Sequence, residues 1–363
     1  MIVIGADTHK SNHTLAAVDA GTGLVVGERT IHAGEAGHLE ALRWARELAD
    51  ERVWAIEDCR HVSRRLEQAL LAAGERVLRV PPKLMGQSRR GEREAGKSDQ
   101  IDARAVARAV LKEGLERFPI AHLDAAAMEI RLLADHREDL VAERTRAQNR
   151  LRWHLVDLAP ELEASLPAGG LDRAVQLDRA AKALRRMQRT ARVRVALRLI
   201  AKIRTLTRQA KALERELHGL VASECPQLVA EQGCGTLTAA TIIGRTAGAE
   251  RFATDAQFAR QAGTAPIPAS SGRRDRHRYH RGGDRQLNRA LQTIAVTRAR
   301  LDPQTKVYLA RKRSEGKSNR EAIRSLKRHL ARRIWRLLQP PETLDNRAMT
   351  IHCNLPRGSF VLT

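Results

Sequence analysis

Short β-branched runs, broken at close intervals by turn residues, open this chain and leave few folds available to it. Residues 1–80 read IVIGAD, HTLAAVDA and LVVGERTIH, then an amphipathic GHLEALRWARELADE, then VWAIED, a helix-like HVSRRLEQALLAAG and finally RVLRVPP. Runs of this length with little polar interruption suit strands, and the segments between them carry the 3.6-residue apolar period of helices. The order predicts three strands joined by short turns, then helix, strand, helix, strand. That is a mixed α/β sheet with helices on its faces.

This strand order fits an RNase H-like sheet, and its acidic residues fall where such a sheet would hold a site. Asp7 interrupts the first apolar run, and Glu57 ends the fourth, with Asp58 beside it as a competitor for the same place. A carboxylate in an apolar strand is costly without a partner. Further on, KSDQIDARAVARAV at 97–110 predicts a helix over 98–114 with Ser98 as its N-cap. Asp99 and Asp102, three positions apart, share one face of it. Ala103, Ala105, Ala107 and Ala109 let that helix approach a sheet closely. Paired carboxylates repel unless a cation lies between them, and oxygen-only ligands suit Mg²⁺ or Mn²⁺. Two such ions can bracket a scissile phosphate.

Beyond the first domain the chain turns helical. Residues 128–158 and 190–221 are long, charged and periodic, and in the second Leu199, Ile203, Leu206, Ala210, Leu213, Leu217 and Leu220 repeat at alternating spacings of four and three. That is the pattern of a coiled-coil seam, and equally of a helix packed within its own domain. Pro160, Pro167, Gly169 and Gly170 mark a loop between the two helices. GCGTLTAATIIG at 233–244 reads either as a helix-hairpin-helix whose amides face phosphate or as a helix start after a tight turn. SGRRDRHRYHRGGDRQLNR at 271–289 and the basic helical run at 311–336 concentrate positive charge beside glycine turns, as a phosphate groove needs. The stretch from 341, with Pro341 and Pro356, predicts a poorly ordered tail.

Charge makes nucleic acid the expected partner. Lys+Arg number 65 against 42 Asp+Glu, a net charge of +23, so phosphate backbones attract the chain and salt weakens the attraction. Aromatic residues are only 3%, which rules out base stacking as the main mode of contact. No apolar run approaches the roughly 18 residues of a membrane span. MIVIGADTHK lacks the layout of a signal peptide, so a cytoplasmic location is expected. Cys59, Cys225, Cys234 and Cys353 form no C-x-x-C pair and read as buried or incidental thiols.

With D-T-H-K at 7–10, A-I-E-D at 55–58 and K-S-D-Q-I-D-A at 97–103, the chain resembles the insertion-sequence one-ten family. These are the DEDD transposases that include Piv-type DNA invertases and bridge-RNA-guided recombinases. LLADHREDLVAERTRAQNRL at 132–151 resembles the helix after that family's catalytic domain, and RFATDAQFARQAGTAP at 251–266 resembles its C-terminal transposase domain. G-T-A-P-I-P-A-S-S-G at 263–272, followed by R-G-G-D-R-Q-L-N-R, completes the likeness. The resemblance implies an α/β plus α chain: an RNase H/RuvC-like DEDD domain over 1–120, a helical coiled-coil linker over 121–224, a mainly helical C-terminal transposase domain over 225–340 and a tail over 341–363.

By the same resemblance Asp7, Glu57, Asp99 and Asp102 form the acidic tetrad that holds Mg²⁺ or Mn²⁺, and Ser271 is the nucleophile, with the adjoining Ser270 as its alternative. Lys10 fits either a phosphate contact or a solvated lysine, and Arg273, Arg274, Arg276 and Arg278 could steady a phosphate. The implied activity is transposition by Mg²⁺-dependent strand cleavage and exchange through a covalent serine-DNA intermediate, guided by a bridge RNA. Implied partners are donor and target double-stranded DNA, that RNA, and further copies of the chain as a homodimer or homotetramer, all at the bacterial nucleoid.

Three rival readings stand beside this one. A nuclease or junction resolvase would use the same acids on water and leave Ser271 dispensable. A non-catalytic nucleic-acid binder would rely on charge alone. Tyr279 in RDRHRYH offers another nucleophile, although tyrosine recombinases disperse their activating residues along the chain. His9, His13, His277 and His280 read as surface, strand or phosphate-contacting residues rather than metal ligands.

Overall fold

The computed structural model describes residues 1–57, 62–80, 98–122, 124–167, 169–269, 277, 278, 280 and 282–339. Its contacts divide into two compact units, one of 1–125 with 246–363 and one of 126–245.

The first unit is built on the expected sheet. Strands β1 (Ile2–Thr8), β2 (Asn12–Asp19), β3 (Val25–His32), β4 (Arg52–Glu57) and β5 (Val77–Val80) lie in the order β3-β2-β1-β4-β5. The first three form an antiparallel meander, whereas β4 runs parallel to both β1 and β5. That is the RNase H-like arrangement. Parallel β4 and β5 need a crossover, and α1 (Glu35–Leu48) and α2 (Arg64–Ala72) supply the crossovers on one face. Ile2, Ile4, Ala6, Trp54 and Ile56 point into that face against Trp44, Leu66 and Leu70. Complete burial of Trp54 alone contributes roughly 2–3 kcal/mol.

The opposite face carries α3 (Asp99–Glu113), packed on Val3, Val53, Ala55 and Leu78 through Ala105, Val106, Ala107 and Val110. Glycine in β1 sets how near it comes: a Cβ on Gly5 would lie 2.1 Å from the Ala103 carbonyl oxygen. The Ser98 hydroxyl caps the helix by accepting from the Ile101 N–H at 3.3 Å, as its sequence predicts.

Residues 246–339 complete this unit. Arg251 Nε donates to the Ile120 carbonyl at 2.8 Å and Gln257 Nε2 to that of Glu116 at 2.7 Å, so this part docks beside the C-terminal end of α3.

The second unit is helical. Here α4 (Ala125–Leu158) is followed by α5 (Pro160–Ala164), α6 (Ala174–Arg185), α7 (Ala191–Glu224), α8 (Pro226–Val229) and α9 (Thr236–Thr246). Pro160, expected in a loop, opens the one-turn α5, because proline at N1 gives up an N–H that has no intrahelical acceptor. Ion pairs Lys202–Glu143 and Arg137–Glu214 show α4 and α7 lying antiparallel. Of the four-three stripe, Ile203, Leu206, Ala210 and Leu217 are buried within the chain, while Leu199, Leu213 and Leu220 are partly covered. Leu151, Leu155, Leu177 and Leu184 pack with the start of the stripe around Val193, Ala196 and Ile200. Ile203, Leu206, Ala210 and Leu217 thus need no second subunit to be buried.

Returning to the first unit, its C-terminal part holds α10 (Asp255–Gln261), a two-residue β6–β7 ladder (Ile267–Pro268 with His277–Arg278), α11 (Arg285–Leu301), α12 (Pro303–Ser314) and α13 (Asn319–Leu337). Asp284 and Asp302 cap α11 and α12, and Ser318 with Glu321 forms a capping box on α13. In the second unit Cys225 and Cys234 are buried thiols outside any disulfide, and burial pushes the pKa of the latter up to about 12. Among the described residues no helix is long and apolar enough to cross a membrane.

Candidate metal centre

Strand parity brings the acids to one face. Side chains alternate across a sheet, and Val3 of β1 and Val53 and Ala55 of β4 all pack toward α3. Asp7 and Glu57 continue those odd-numbered series and so face α3 as well. The parallel register ends at Ala6↔Ile56, which sets Asp7 and Glu57 side by side at the C-terminal ends of two adjacent strands. Across from them α3 begins, with Asp99 at its first position and Asp102 one turn on. The close contact at Gly5 thus fixes how far the helix carboxylates stand from the strand carboxylates.

Burial differs within the group. Asp7 is 6% exposed and Asp102 5%, whereas Asp99 is exposed and Glu57 half-buried. Burial raises the Asp7 pKa, and the nearby charges of Asp102 and Asp99 push it further; the hydrogen bond from His9 opposes both. His9 Nε2 lies 3.0 Å from Asp7 Oδ2 and 3.6 Å from Asp99 Oδ1. Ligand atoms of Asp7, His9 and Asp99 all fall within 4.8 Å of one another.

This donor set fits a divalent cation. Three carboxylates lie near enough for Asp7 to feel the other two, one of them deeply buried with it, and a dication would relieve that repulsion. A proton on Asp7 would relieve it too, and the raised Asp7 pKa records that tendency, which His9 only partly offsets.

His9 was expected only as a surface or strand residue. It follows Asp7 by two positions, the spacing that returns a strand side chain to the same face, and that D-x-H spacing was the signal available. Lys10 is exposed in the β1–β2 turn, at the same end of the sheet as Asp7. His13 is buried on the opposite face and stacks on His38, with ring centroids 5.5 Å apart. Of the expected phosphate-steadying residues, Arg278 is exposed on β7. Asp58, Ser270, Ser271, Arg273, Arg274, Arg276 and Tyr279 lie outside the described residues.

Residues 4–160 match the family profile of the IS110 DEDD transposases, and residues 226–310 match that of the IS116/IS110/IS902 transposases. The chain is 28% identical to the 42 kDa protein of insertion element IS900 of Mycobacterium paratuberculosis, across 92% of this chain and 95% of that protein. Identity is also 28% to the 44.8 kDa protein of insertion element IS116 of Streptomyces clavuligerus, across 93% and 94%. Among solved structures, T. thermophilus RuvC in complex with a Holliday junction substrate covers 33% of this chain and 99% of its own, at 16% identity and a TM-score of 0.26. The strand order, not that superposition, is the ground for the fold.

Proposed function

Because this chain belongs to the IS110 family of transposases, we propose that it cleaves and exchanges DNA strands through a covalent serine-DNA intermediate, with Asp7, Glu57, Asp99 and Asp102 holding Mg²⁺ or Mn²⁺. The observation that carries the reading is the meeting of Asp7, Asp99 and Asp102 on one face of an RNase H-like sheet. Acids gathered from a strand and a helix serve no packing purpose there.

A serine hydroxyl is a weak nucleophile until its proton is removed and charge on the attacked phosphate is stabilised. In this reading Ser271 Oγ, with Ser270 as the alternative, forms a bond to the scissile phosphorus, the bond from phosphorus to a deoxyribose oxygen breaks, and the serine proton passes by way of solvent to that departing oxygen. A metal at the acidic site supplies Lewis-acid stabilisation of that phosphate's charge. The chain's own contribution is to hold the carboxylates at fixed spacing through the Gly5 contact, and to place Lys10 and Arg278, with Arg273, Arg274 and Arg276, as cationic contacts to the strand. The ester to serine keeps the phosphodiester energy, so a second strand end can displace it without hydrolysis.

A bridge RNA choosing the sites by base pairing accords with a chain of 3% aromatic content and a strong positive charge. Exchange between two duplexes calls for two or four copies of the chain. The deciding experiment incubates the full chain with Mg²⁺, its element's flanking RNA and labelled donor and target duplexes, and looks for protein-DNA adduct surviving denaturation. Adduct absent in both Ser271→Ala and Asp102→Ala supports the reading. Free cleaved DNA without adduct, persisting in Ser271→Ala, replaces it with a water-using nuclease.

A further inference from the structure

A second polar site lies well apart in sequence from the acids. A cavity of about 590 Å³ opens between the 263–266 turn, the β7 segment and the start of α13. Five basic side chains line it: Arg278, Lys317, Arg324, Lys327 and Arg328. Most are exposed and unremarkable for so basic a chain. Lys327 is the exception, being only 6% exposed.

Its surroundings explain what is unusual. Lys327 Nζ donates to Asn288 Oδ1 at 2.6 Å. The amide of Asn288 cannot turn away, since its Nδ2 donates to the Ala262 and Gly263 carbonyls at 2.8 and 3.2 Å. Gly263 (φ +64) and Gly283 press together there, and a Cβ on Gly283 would sit 2.3 Å from the Gly263 nitrogen. The cradle is therefore rigid. Two acids share the cavity wall and already have partners: Glu315 with Lys312 at 2.7 Å and Lys317 at 3.9 Å, and Glu321 with the Ser318 N–H at 2.9 Å and Arg324 at 3.8 Å.

Among the described residues, Lys327 thus meets one neutral amide oxygen and no carboxylate. Burying an ammonium on those terms is costly, and burial lowers its pKa to about 8. Charge persists at neutral pH, facing an open cavity with four more cationic side chains. An anion entering there would recover the lost solvation through charge-assisted hydrogen bonds.

We propose that this cavity is a phosphate-binding site, in which Lys327, Arg324 and Arg328 seat one phosphodiester group of the DNA strand under processing. The identity of the strand rests on the transposase reading; the preference for a phosphate does not.

Pyridoxal 5′-phosphate is a suitable probe for the full-length chain. Its phosphate would be held by Arg324 and Arg328 while its aldehyde condenses with the neighbouring Lys327 amine, releasing water; borohydride then reduces the imine to a stable amine located by peptide mapping. Labelling of Lys327 should exceed that by pyridoxal, which lacks the phosphate, by about tenfold, the scale of one charge-assisted hydrogen bond. Inorganic phosphate should compete, and single-stranded DNA should protect. Equal labelling by pyridoxal overturns the proposal, and protection by RNA alone overturns its DNA assignment.

Calorimetry with inorganic phosphate tests the site without relying on amine reactivity. An Arg324→Gln, Arg328→Gln double variant, changed only at exposed positions, should bind about tenfold more weakly than wild type. Equal affinity sinks the site, and Lys327→Met gives the same comparison at the buried position if it folds. Loss of the Ser271 adduct with phosphate binding intact would instead sink the recombinase reading alone.

Discussion

The two ends of the central sheet each bury a carboxylate, and the chain treats them in opposite ways. Where β4 begins, Glu75 accepts from Arg52 Nε at 2.8 Å, Arg52 Nη2 at 2.6 Å and Trp54 Nε1 at 3.1 Å. Burial would raise its pKa, but these donors outweigh burial and hold it below the usual range. Where β1 ends, Asp7 has one donor, His9, and two further acids, and its pKa is raised. Donors supplied by the fold make an acid part of the scaffold. An acid buried among other acids leaves its compensation to something that arrives from outside.

The sharpest way to break this contrast is to neutralise each end in turn. Asp102→Asn or Asp7→Asn should lower Mg²⁺-dependent strand cleavage by more than about a hundredfold, since loss of even an outer group around a metal costs ten- to a hundredfold. Circular dichroism should stay native. Cleavage within a few-fold of wild type would place the chemistry elsewhere.

Glu75→Gln should do the reverse. It leaves the Arg52 guanidinium, 15% exposed, without its counter-charge, at a cost of about 3 kcal/mol, read in a denaturant titration. Cleavage per folded molecule should change by no more than about twofold, because the lost contact is structural and distant from the reacting strand. If activity fell while stability held, the division between the two ends would be wrong.

pH separates them further, and the signs follow from the shifts. Glu75, with its folded pKa lowered, contributes stability that is present above its ordinary value of 4.5 and lost as pH falls through the lowered one. Asp7, with its folded pKa raised from 3.8, contributes stability present below that value and lost as pH rises through the raised one. In EDTA at neutral pH, Asp7→Asn should therefore be more stable than wild type by about 1 kcal/mol, the usual return on relieving a strained site, and the gain should vanish in acid. Added Mg²⁺ should then raise the melting temperature of wild type and leave the variant unmoved. An Asp7→Asn chain less stable at neutral pH would show that the carboxylate is scaffold after all.

Much of this was legible in the sequence, for reasons that vary by residue. The succession of strands and helices and the Ser98 cap follow from local periodicity and cap chemistry, and that succession fits the RNase H-like order seen in the sheet. The pairing of Asp99 with Asp102 needs only helical geometry, whereas the approach of Asp7 and Glu57 depends on β1 and β4 being neighbours in parallel register, which no local pattern announces. The four-three stripe on α7 was ambiguous because an intramolecular helix pair and an oligomeric seam demand the same spacing, and only contacts with α4 and α6 decide where it is buried. Lys327 was invisible among its basic neighbours. Its burial depends on Asn288, Gly263 and Gly283, which reach it through tertiary packing and leave no local pattern.

His9 gives the smallest and most discriminating test at the acidic end. Its Nε2 lies between Asp7 and Asp99 at 3.0 and 3.6 Å, yet its side chain is 54% exposed, so it can serve as a ligand or merely as a solvated neighbour. Metal preference tells these apart. Mg²⁺ favours oxygen donors and keeps its waters, whereas later first-row ions accept imidazole more readily. A ligating His9 should make His9→Ala cost about tenfold in cleavage supported by Mn²⁺ but only about threefold with Mg²⁺, on the scale of one peripheral metal contact. Equal losses with both ions would mean that the imidazole orients Asp7 through their hydrogen bond without touching the metal. No loss with either would confine the metal ligands to the carboxylates, and the D-x-H spacing would be a consequence of strand geometry alone.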